Sequence, residues 1–272
     1  MNFTNLLLLS INASISAGNE IMDIYSSAFI VENKKDNSPL TLADRRSNSF
    51  IEQALQNTGI PYLSEEGKEI PFEKRKKWEY FWMVDPLDGT KEFVKRNGEF
   101  TVNIALIRKN QPIMGVIYVP CSKELYYALE GLGSFKVKVK TGNNISDINR
   151  LIKISQKLPI NTTKSKYIIV GSRSHMTKET EDYFKLKQEQ NNIVEILAIG
   201  SSLKICMVAE GKADSYPRYA PTMEWDTAAG HAIANMSGYK ILQYNSTQEI
   251  EYNKENLLNP WFLVEKKSNN DQ

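Results

Sequence analysis

Trp82-Met83-Val84-Asp85-Pro86-Leu87-Asp88-Gly89-Thr90 is an apolar run that stops at two carboxylates separated by a rigid Pro-Leu step. Residues 80–84 are rich in aromatic and apolar side chains and suit a buried strand. Pro86 and Gly89 argue that the chain leaves the sheet after residue 84. Asp85 and Asp88 can then converge on one point together with the Leu87 carbonyl, an all-oxygen donor set that suits Mg²⁺ and leaves positions for a substrate phosphate. An isolated Asp-Pro-x-Asp-Gly segment can equally be a turn that only reverses the chain. A calcium-binding EF-hand loop does not fit, because Leu87, Gly89 and Arg96 fall where its ligands should stand.

The 272 residues are enough for one large domain or two closely packed ones, and a hydrophobic content of 41% supplies a core. With 34 basic and 32 acidic residues the net charge of +2 gives no field that by itself points to nucleic acid or membrane. Cys121 and Cys206 lie in apolar surroundings without metal-like or redox-like spacing, so buried reduced thiols and a reducing compartment are expected. Residues 6–9 with the small residues after them have the outline of a secretion signal, but no Lys or Arg precedes them and the apolar run is short. Leu7, Ile11, Ser14, Gly18, Met22, Tyr25 and Phe29 fall instead near the helical period. No stretch approaches the ~20 apolar residues needed to span a bilayer.

Further along, residues 32–39 read as a polar loop and 41–55 as a helix with Asp44 in its first turn, where an acid commonly caps or offsets the dipole. Residues 60–64 read as a short strand delivering Glu65 and Glu66 to its end, and 68–77 as an exposed charged connection. Repeated strands at 101–108, 113–119 and 124–129 predict an antiparallel meander, followed by a hairpin over 134–154 with its tip at 141–144. From residue 167 strands and helices alternate: strand 167–170, helix 178–190, strand 193–199, helix 201–210, strand 213–216 and helix 226–236. This predicts an α/β layer whose ligand sites lie beyond the strand ends. Position alone makes Asp226 a helix N-cap. Gly200-Ser201-Ser202 ahead of a helix offers free amides as an anion seat, and Arg218 has the fork geometry that suits a phosphate. Lys204, Arg218 and His175 are by position alone ordinary polar side chains, and His231 is expected to pack.

The longer string Asp85-Pro86-Leu87-Asp88-Gly89-Thr90-Lys91-Glu92-Phe93, followed by Asn97-Gly98-Glu99-Phe100-Thr101-Val102-Asn103-Ile104-Ala105, resembles the inositol monophosphatase superfamily. The part beyond Thr90 is similar to its 3'(2'),5'-bisphosphate nucleotidase branch. Leu63-Ser64-Glu65-Glu66, Gly200-Ser201-Ser202-Leu203-Lys204 and Trp225-Asp226-Thr227-Ala228-Ala229-Gly230-His231 agree, so the resemblance runs nearly end to end. It implies a layered αβαβα sandwich, read as an α+β half over residues 1–155 carrying most metal ligands and an α/β half over 156–272 carrying the nucleotide pocket.

The resemblance further implies two or three Mg²⁺ ions. Glu65, Asp85 and the Leu87 carbonyl would hold one, and Asp85, Asp88 and Asp226 another, with a third, weaker ion sharing Glu65. Asp44, Thr90 and Glu66 would form the catalytic group, with Thr90 turned toward Asp44 to orient a water. Gly89, Thr90, His175, Gly200, Ser201, Ser202, Lys204 and Arg218 would bind substrate. The implied activity is release of the 3'-phosphate from adenosine 3',5'-bisphosphate or 3'-phosphoadenylyl sulfate, in sulfur assimilation and nucleotide recycling, with inhibition by lithium. The implied partner is a small nucleotide rather than nucleic acid, with no integral membrane segment. The implied place is the cytoplasm, with peripheral attachment to the inner face of the cell membrane as a second option. An inositol or sugar phosphatase and a non-catalytic nucleotide-binding regulator remain the alternatives, and oligomeric state is open.

Overall fold

Alternation along the strands sorts the core into layers in the computed structural model, which describes residues 1–26, 31–33, 39–140, 144–160, 164–171 and 176–267. Helix α1 (Phe3–Tyr25) opens the chain, and the strands β1 (Val31–Asn33) and β2 (Pro39–Thr41) pair with each other ahead of α2 (Leu42–Leu55). Phe29 lies outside the described residues. Leu7, Ile11, Ile15, Ile21 and Ile24 are buried along one face of α1. Each such side chain contributes about 1.5–3 kcal/mol on burial, which outweighs the few tenths lost at each of the helix's Ser and Asn residues.

Helices α1 and α2 cover one face of a seven-stranded sheet of β3 (Tyr62–Ser64), β4 (Tyr80–Asp88), β5 (Thr101–Arg108), β6 (Gln111–Val119), β7 (Glu124–Leu129), β8 (Gly133–Lys138) and β9 (Gln156–Lys157), in that spatial order. Within this sheet, among the described residues, only β3 and β4 run parallel. Short helices α3 (Phe72–Arg75), α4 (Thr90–Val94) and α5 (Ile148–Ile154) occupy the connections. A second sheet of five strands takes the order β11 (Val194–Ala198), β10 (Tyr167–Gly171), β12 (Ser215–Arg218), β14 (Phe262–Lys266), β13 (Tyr239–Gln243). Its helices are α6 (Lys178–Gln190), α7 (Leu203–Ala209) and α8 (Glu224–Met236).

Trp82, Val84, Val102, Ile104, Leu106, Val116 and Tyr118 point toward α1 and α2. The alternate residues Phe81, Met83, Ala105, Ile107 and Ile117 share a core with Ile205, Val208, Ala228 and Ile233 of α7 and α8 and with Phe262 and Val264 of the second sheet. Tyr183 and Phe184 of α6 pack with Ile169 and Tyr219 beyond that sheet. Helix, sheet, helix, sheet, helix is the αβαβα sandwich that the resemblance implies. β9 pairs with β8, so the first sheet takes its last strand from residues 156–157. Close approach of α8 to the first sheet depends on Gly115, where a Cβ would lie 2.2 Å from the Ala229 carbonyl oxygen and 2.9 Å from Ala232 Cβ.

Several local expectations are corrected. β4 does not stop at Val84 but continues to Asp88 across a bulge: Asp85 pairs with Asn103 and Asp88 with Thr101, so one residue is extra. That irregularity is how a strand carries a proline lacking an amide. The return leg of the expected 134–154 hairpin is a helix, α5, because Asp147 accepts from the Asn149 and Arg150 amides and caps it; the hairpin's tip at 141–143 lies outside the described residues. The connection at 68–77 is not uniformly exposed: Arg75 is buried and donates to Asn253 Oδ1 and the Glu255 carbonyl at 2.9 and 2.7 Å. Both cysteines are free, Cys206 buried and Cys121 half-buried near Met22. β13 and β14 carry the chain back through the second sheet after the last expected element.

Candidate active site

Because β3 and β4 are parallel, with Ser64 beside Val84, their carboxyl ends open on the same edge and bring Glu65 next to Asp85. The Glu65 amide donates to the Val84 carbonyl at 3.2 Å. Asn48 of α2 accepts from both Tyr62 and Ser64 and ties β3 to that helix. The bulge is pinned from two sides. Ser47 Oγ donates to the Pro86 carbonyl at 2.6 Å, and the Leu87 amide donates to Asp85 Oδ1 at 3.1 Å. Gly89 then turns at φ 91°, a left-handed value that favours glycine, and opens α4. Thr90 Oγ1, at the start of α4, lies 3.4 Å from Asp44 Oδ2 and 3.3 Å from the Leu87 carbonyl oxygen. Asp44 itself is fully buried in the first turn of α2.

The second half contributes from two helix starts. Asp226 is the third residue of α8 and not its cap, since the helix begins at Glu224. Asp226 Oδ2 accepts from the Met223 amide at 2.9 Å, as the returning arm of a capping box does. The turn before α7 lies against residues 99–100: the Gly200 amide donates to Glu99 at 2.7 Å and the Ser202 amide to Asp88 Oδ2 at 2.5 Å. These two amides are therefore engaged, where free donors were expected. Close approach requires glycine at 200, since a Cβ there would meet Glu92 Cγ at 2.7 Å and the Glu99 carbonyl oxygen at 2.9 Å.

Charge is concentrated here. Asp85 is 1% exposed, and burial followed by the fields of Glu65, Asp88, Asp226 and Asp44 raises its carboxyl far above the usual range. Burial also raises Asp88, against the opposing pull of Lys204, the Ser202 amide, Asn103 and Arg218. Asp226 is pushed up to about 8 by burial, then by Asp88 and Glu65. Lys204 moves the other way, down to about 8, because its ammonium is buried; Asp88 opposes that shift and Arg218 adds to it. Its Nζ donates to the Ser201 and Ile199 carbonyls at 2.6 and 3.3 Å. Arg218 Nη2 donates to the Pro221 carbonyl at 2.7 Å, and its guanidinium is felt by both Asp88 and Asp226.

The structure thus brings Glu65, Asp85, Leu87, Asp88 and Asp226 to one region, with Asp44 and Thr90 on one side and Lys204 and Arg218 on the other. Glu66 follows Glu65 on the partly exposed end of β3. His175 lies outside the described residues. His231 is buried one turn behind Asp226, between Tyr252 and Glu249. No sequence pattern assigns a role to Ser47, Glu99 or Asn103, which hold the bulge, the Gly200 turn and Asp88; a lone Asn in an apolar strand is the one signal among them.

Among the described residues no three acidic, imidazole or thiol groups are drawn onto a single point. Protein hydrogen bonds reach one oxygen each of Asp85, Asp88 and Asp226, and none from a described residue reaches the other. Like charges this close are stable only when protonated or countered by cations. The all-oxygen donor set fits a hard divalent ion.

A model of the inositol monophosphatase family matches residues 4–270. The chain is 42% identical to the 3'(2'),5'-bisphosphate nucleotidase CysQ of Salmonella typhimurium, over 92% of this chain and 95% of that protein. It is 35% identical to the CysQ of Aggregatibacter actinomycetemcomitans over 96% and 93%. Among solved structures, CysQ from Bacteroides thetaiotaomicron superposes with a TM-score of 0.91 at 48% identity, covering 98% of this chain and 99% of that one. An inositol monophosphatase from Anabaena shares the fold at a TM-score of 0.70 and 23% identity.

Proposed function

The chain belongs to the inositol monophosphatase family, and from that membership we propose that it is a Mg²⁺-dependent 3'(2'),5'-bisphosphate nucleotidase. It would convert adenosine 3',5'-bisphosphate to AMP and phosphate and accept 3'-phosphoadenylyl sulfate as a second substrate. The observation that carries the reading is the 42–48% identity, over nearly the whole length, to proteins named CysQ. We place it in the cytoplasm on the strength of its two free cysteines; no helix among the described residues is long and apolar enough to cross a membrane.

Glu65, Asp85 and the Leu87 carbonyl would hold one ion, and Asp85, Asp88 and Asp226 a second, with a third sharing Glu65. Bound Mg²⁺ supplies neutralising charge for the phosphate and the departing 3'-oxygen and makes a water more acidic. Thr90 Oγ1 has one proton and two acceptor positions. With Asp44 Oδ2 at 3.4 Å as its acceptor, it can receive a hydrogen bond from the attacking water and direct a lone pair of that water at phosphorus. As the water oxygen bonds to phosphorus and the P–O3' bond breaks, the water's proton passes to Thr90 Oγ1 and that of Thr90 to Asp44, while the departing 3'-oxygen takes a proton from a solvent water whose hydroxide is neutralised by the proton Asp44 then releases. Arg218 and the Ser201 hydroxyl are the seat for the 5'-phosphate, with Lys204, held on the Ser201 and Ile199 carbonyls, adding a positive charge below about pH 8.

The test is product identity. With Mg²⁺ and adenosine 3',5'-bisphosphate, chromatography should show AMP, LiCl should depress the rate, and EDTA should stop it. Adenosine 3'-monophosphate as the product, or full turnover in EDTA, would sink the proposal.

A further inference from the structure

On the face of β5 that meets α7 and α8, Ala105 and Ile107 are apolar, as a two-sided buried sheet requires. Thr101 and Asn103 share that face and are just as deeply buried, yet polar. Buried polar groups are retained where every one is satisfied, and here they satisfy one another in a single direction. Asn103 Nδ2 lies 3.4 Å from Asp88 Oδ2. Asn103 Oδ1 accepts from Ser202 Oγ at 2.9 Å, and Ser202 Oγ lies 2.9 Å from Thr101 Oγ1.

The proton positions follow from chemistry. A carboxylate and an amide oxygen only accept, so Asn103 donates to Asp88 and Ser202 to Asn103, which leaves Thr101 to donate to Ser202. The chain crosses the joint between the two sheets, because Ser202 also gives its backbone amide to Asp88 Oδ2. Across the bulge Thr101 is the strand partner of Asp88 and Asn103 that of Asp85, which is what puts the Asn103 amide within reach of Asp88.

We infer that Asn103 is a positioning residue, held by Thr101 and Ser202, that fixes the Asp88 carboxylate with one oxygen on protein donors and the other presented to a divalent cation. The inference rests on the metal-site reading above and deepens it. Loss of groups that orient a metal ligand typically weakens metal affinity by about 10- to 100-fold.

The test is Mn²⁺ titration of the metal-free protein, with free Mn²⁺ read by electron paramagnetic resonance and Tm measured alongside. Asn103→Ala should raise the Mn²⁺ Kd by about tenfold or more. Thr101→Val, which keeps the shape and removes the hydroxyl, should raise it in the same direction, while Thr101→Ser should stay near wild type. This smaller pair keeps the idea testable even if Asn103→Ala folds poorly. A merely structural role would lower Tm and leave the Kd alone. Wild-type affinity in Asn103→Ala, or equal damage from Thr101→Val and Thr101→Ser, overturns the inference alone. A wild type that takes up no Mn²⁺ removes the metal-site reading, and this inference with it.

Discussion

Asp88 shows how a single carboxylate can be held and left reactive at once, with Oδ2 on the Ser202 amide at 2.5 Å and no hydrogen bond from a described residue to Oδ1. Asp88→Asn keeps the size of the side chain and an acceptor for that amide while removing one charge. Turnover at saturating Mg²⁺ should fall about 100-fold or more, and the metal-free Tm should hold or rise because a like charge has gone. Near-normal turnover with a collapsed Tm would make Asp88 a turn residue only. Protons report on the same cluster. Asp226 is raised to about 8 by burial, Asp88 and Glu65. From about pH 4, where Asp titrates in an unfolded chain, to about pH 8, Asp226 in the metal-free fold therefore holds more proton than it does in the unfolded chain. The stability it contributes falls as pH rises through that window, and Asp85 and Asp88, raised in the same direction, add to that loss. Since a cation displaces those protons, the Tm gap between Mg²⁺-loaded and metal-free protein should widen from pH 5 to pH 8. A gap that stays constant would show that the carboxylates are not protonated without metal.

At the scale of elements, α8 is placed by what β6 lacks. A Gly115→Ala methyl would collide with the Ala229 carbonyl at 2.2 Å and with Ala232, so α8 must move. Overpacking of this kind typically costs about 1–3 kcal/mol. Thermal unfolding should show the loss, and turnover should fall with it because Asp226 rides on the same helix; an unchanged Tm would mean α8 is not seated as described. The elements that were legible in the sequence are those whose pattern is local: the strands 101–108 and 124–129, rich in apolar, β-branched and aromatic residues and bounded by turn residues, and the helix at 178–190 behind its Thr177 cap. β13 carried a readable alternation of buried Tyr239 and Ile241 about Lys240. β14 offers only the short apolar run Phe262-Leu263-Val264, with Phe262 and Val264 packing toward α7 and α8 and Leu263 toward α6, and three such residues do not tell a strand from a turn of buried helix. The site follows the same division. Asp85 and Asp88 announced themselves beside Pro86, whereas their support from Ser47, Ser202 and Glu99 depends on contacts between residues 39 to 114 positions apart.

Across the whole molecule, the carboxylates of the first sheet meet the cationic side chains of the second at the edge where both face one volume. A metal-bound 3'-phosphate on one side and a 5'-phosphate on the other would span that joint. Substrate choice is therefore what this joint decides, and it is read by comparing kcat/KM with Mg²⁺ for adenosine 3',5'-bisphosphate, adenosine 3'-monophosphate, inositol 1-phosphate and fructose 1,6-bisphosphate, in wild type and Arg218→Ala. Loss of one charge-assisted contact typically costs about 1.5–3 kcal/mol, or about one to two orders of magnitude. Adenosine 3',5'-bisphosphate should be the best substrate of the wild type and should drop by about that factor in the variant, while the 3'-monophosphate, poor from the start, should change little. Inositol 1-phosphate as the best substrate, or equal damage to both nucleotides, would contradict the bisphosphate-nucleotidase assignment and leave a general sugar phosphatase in its place.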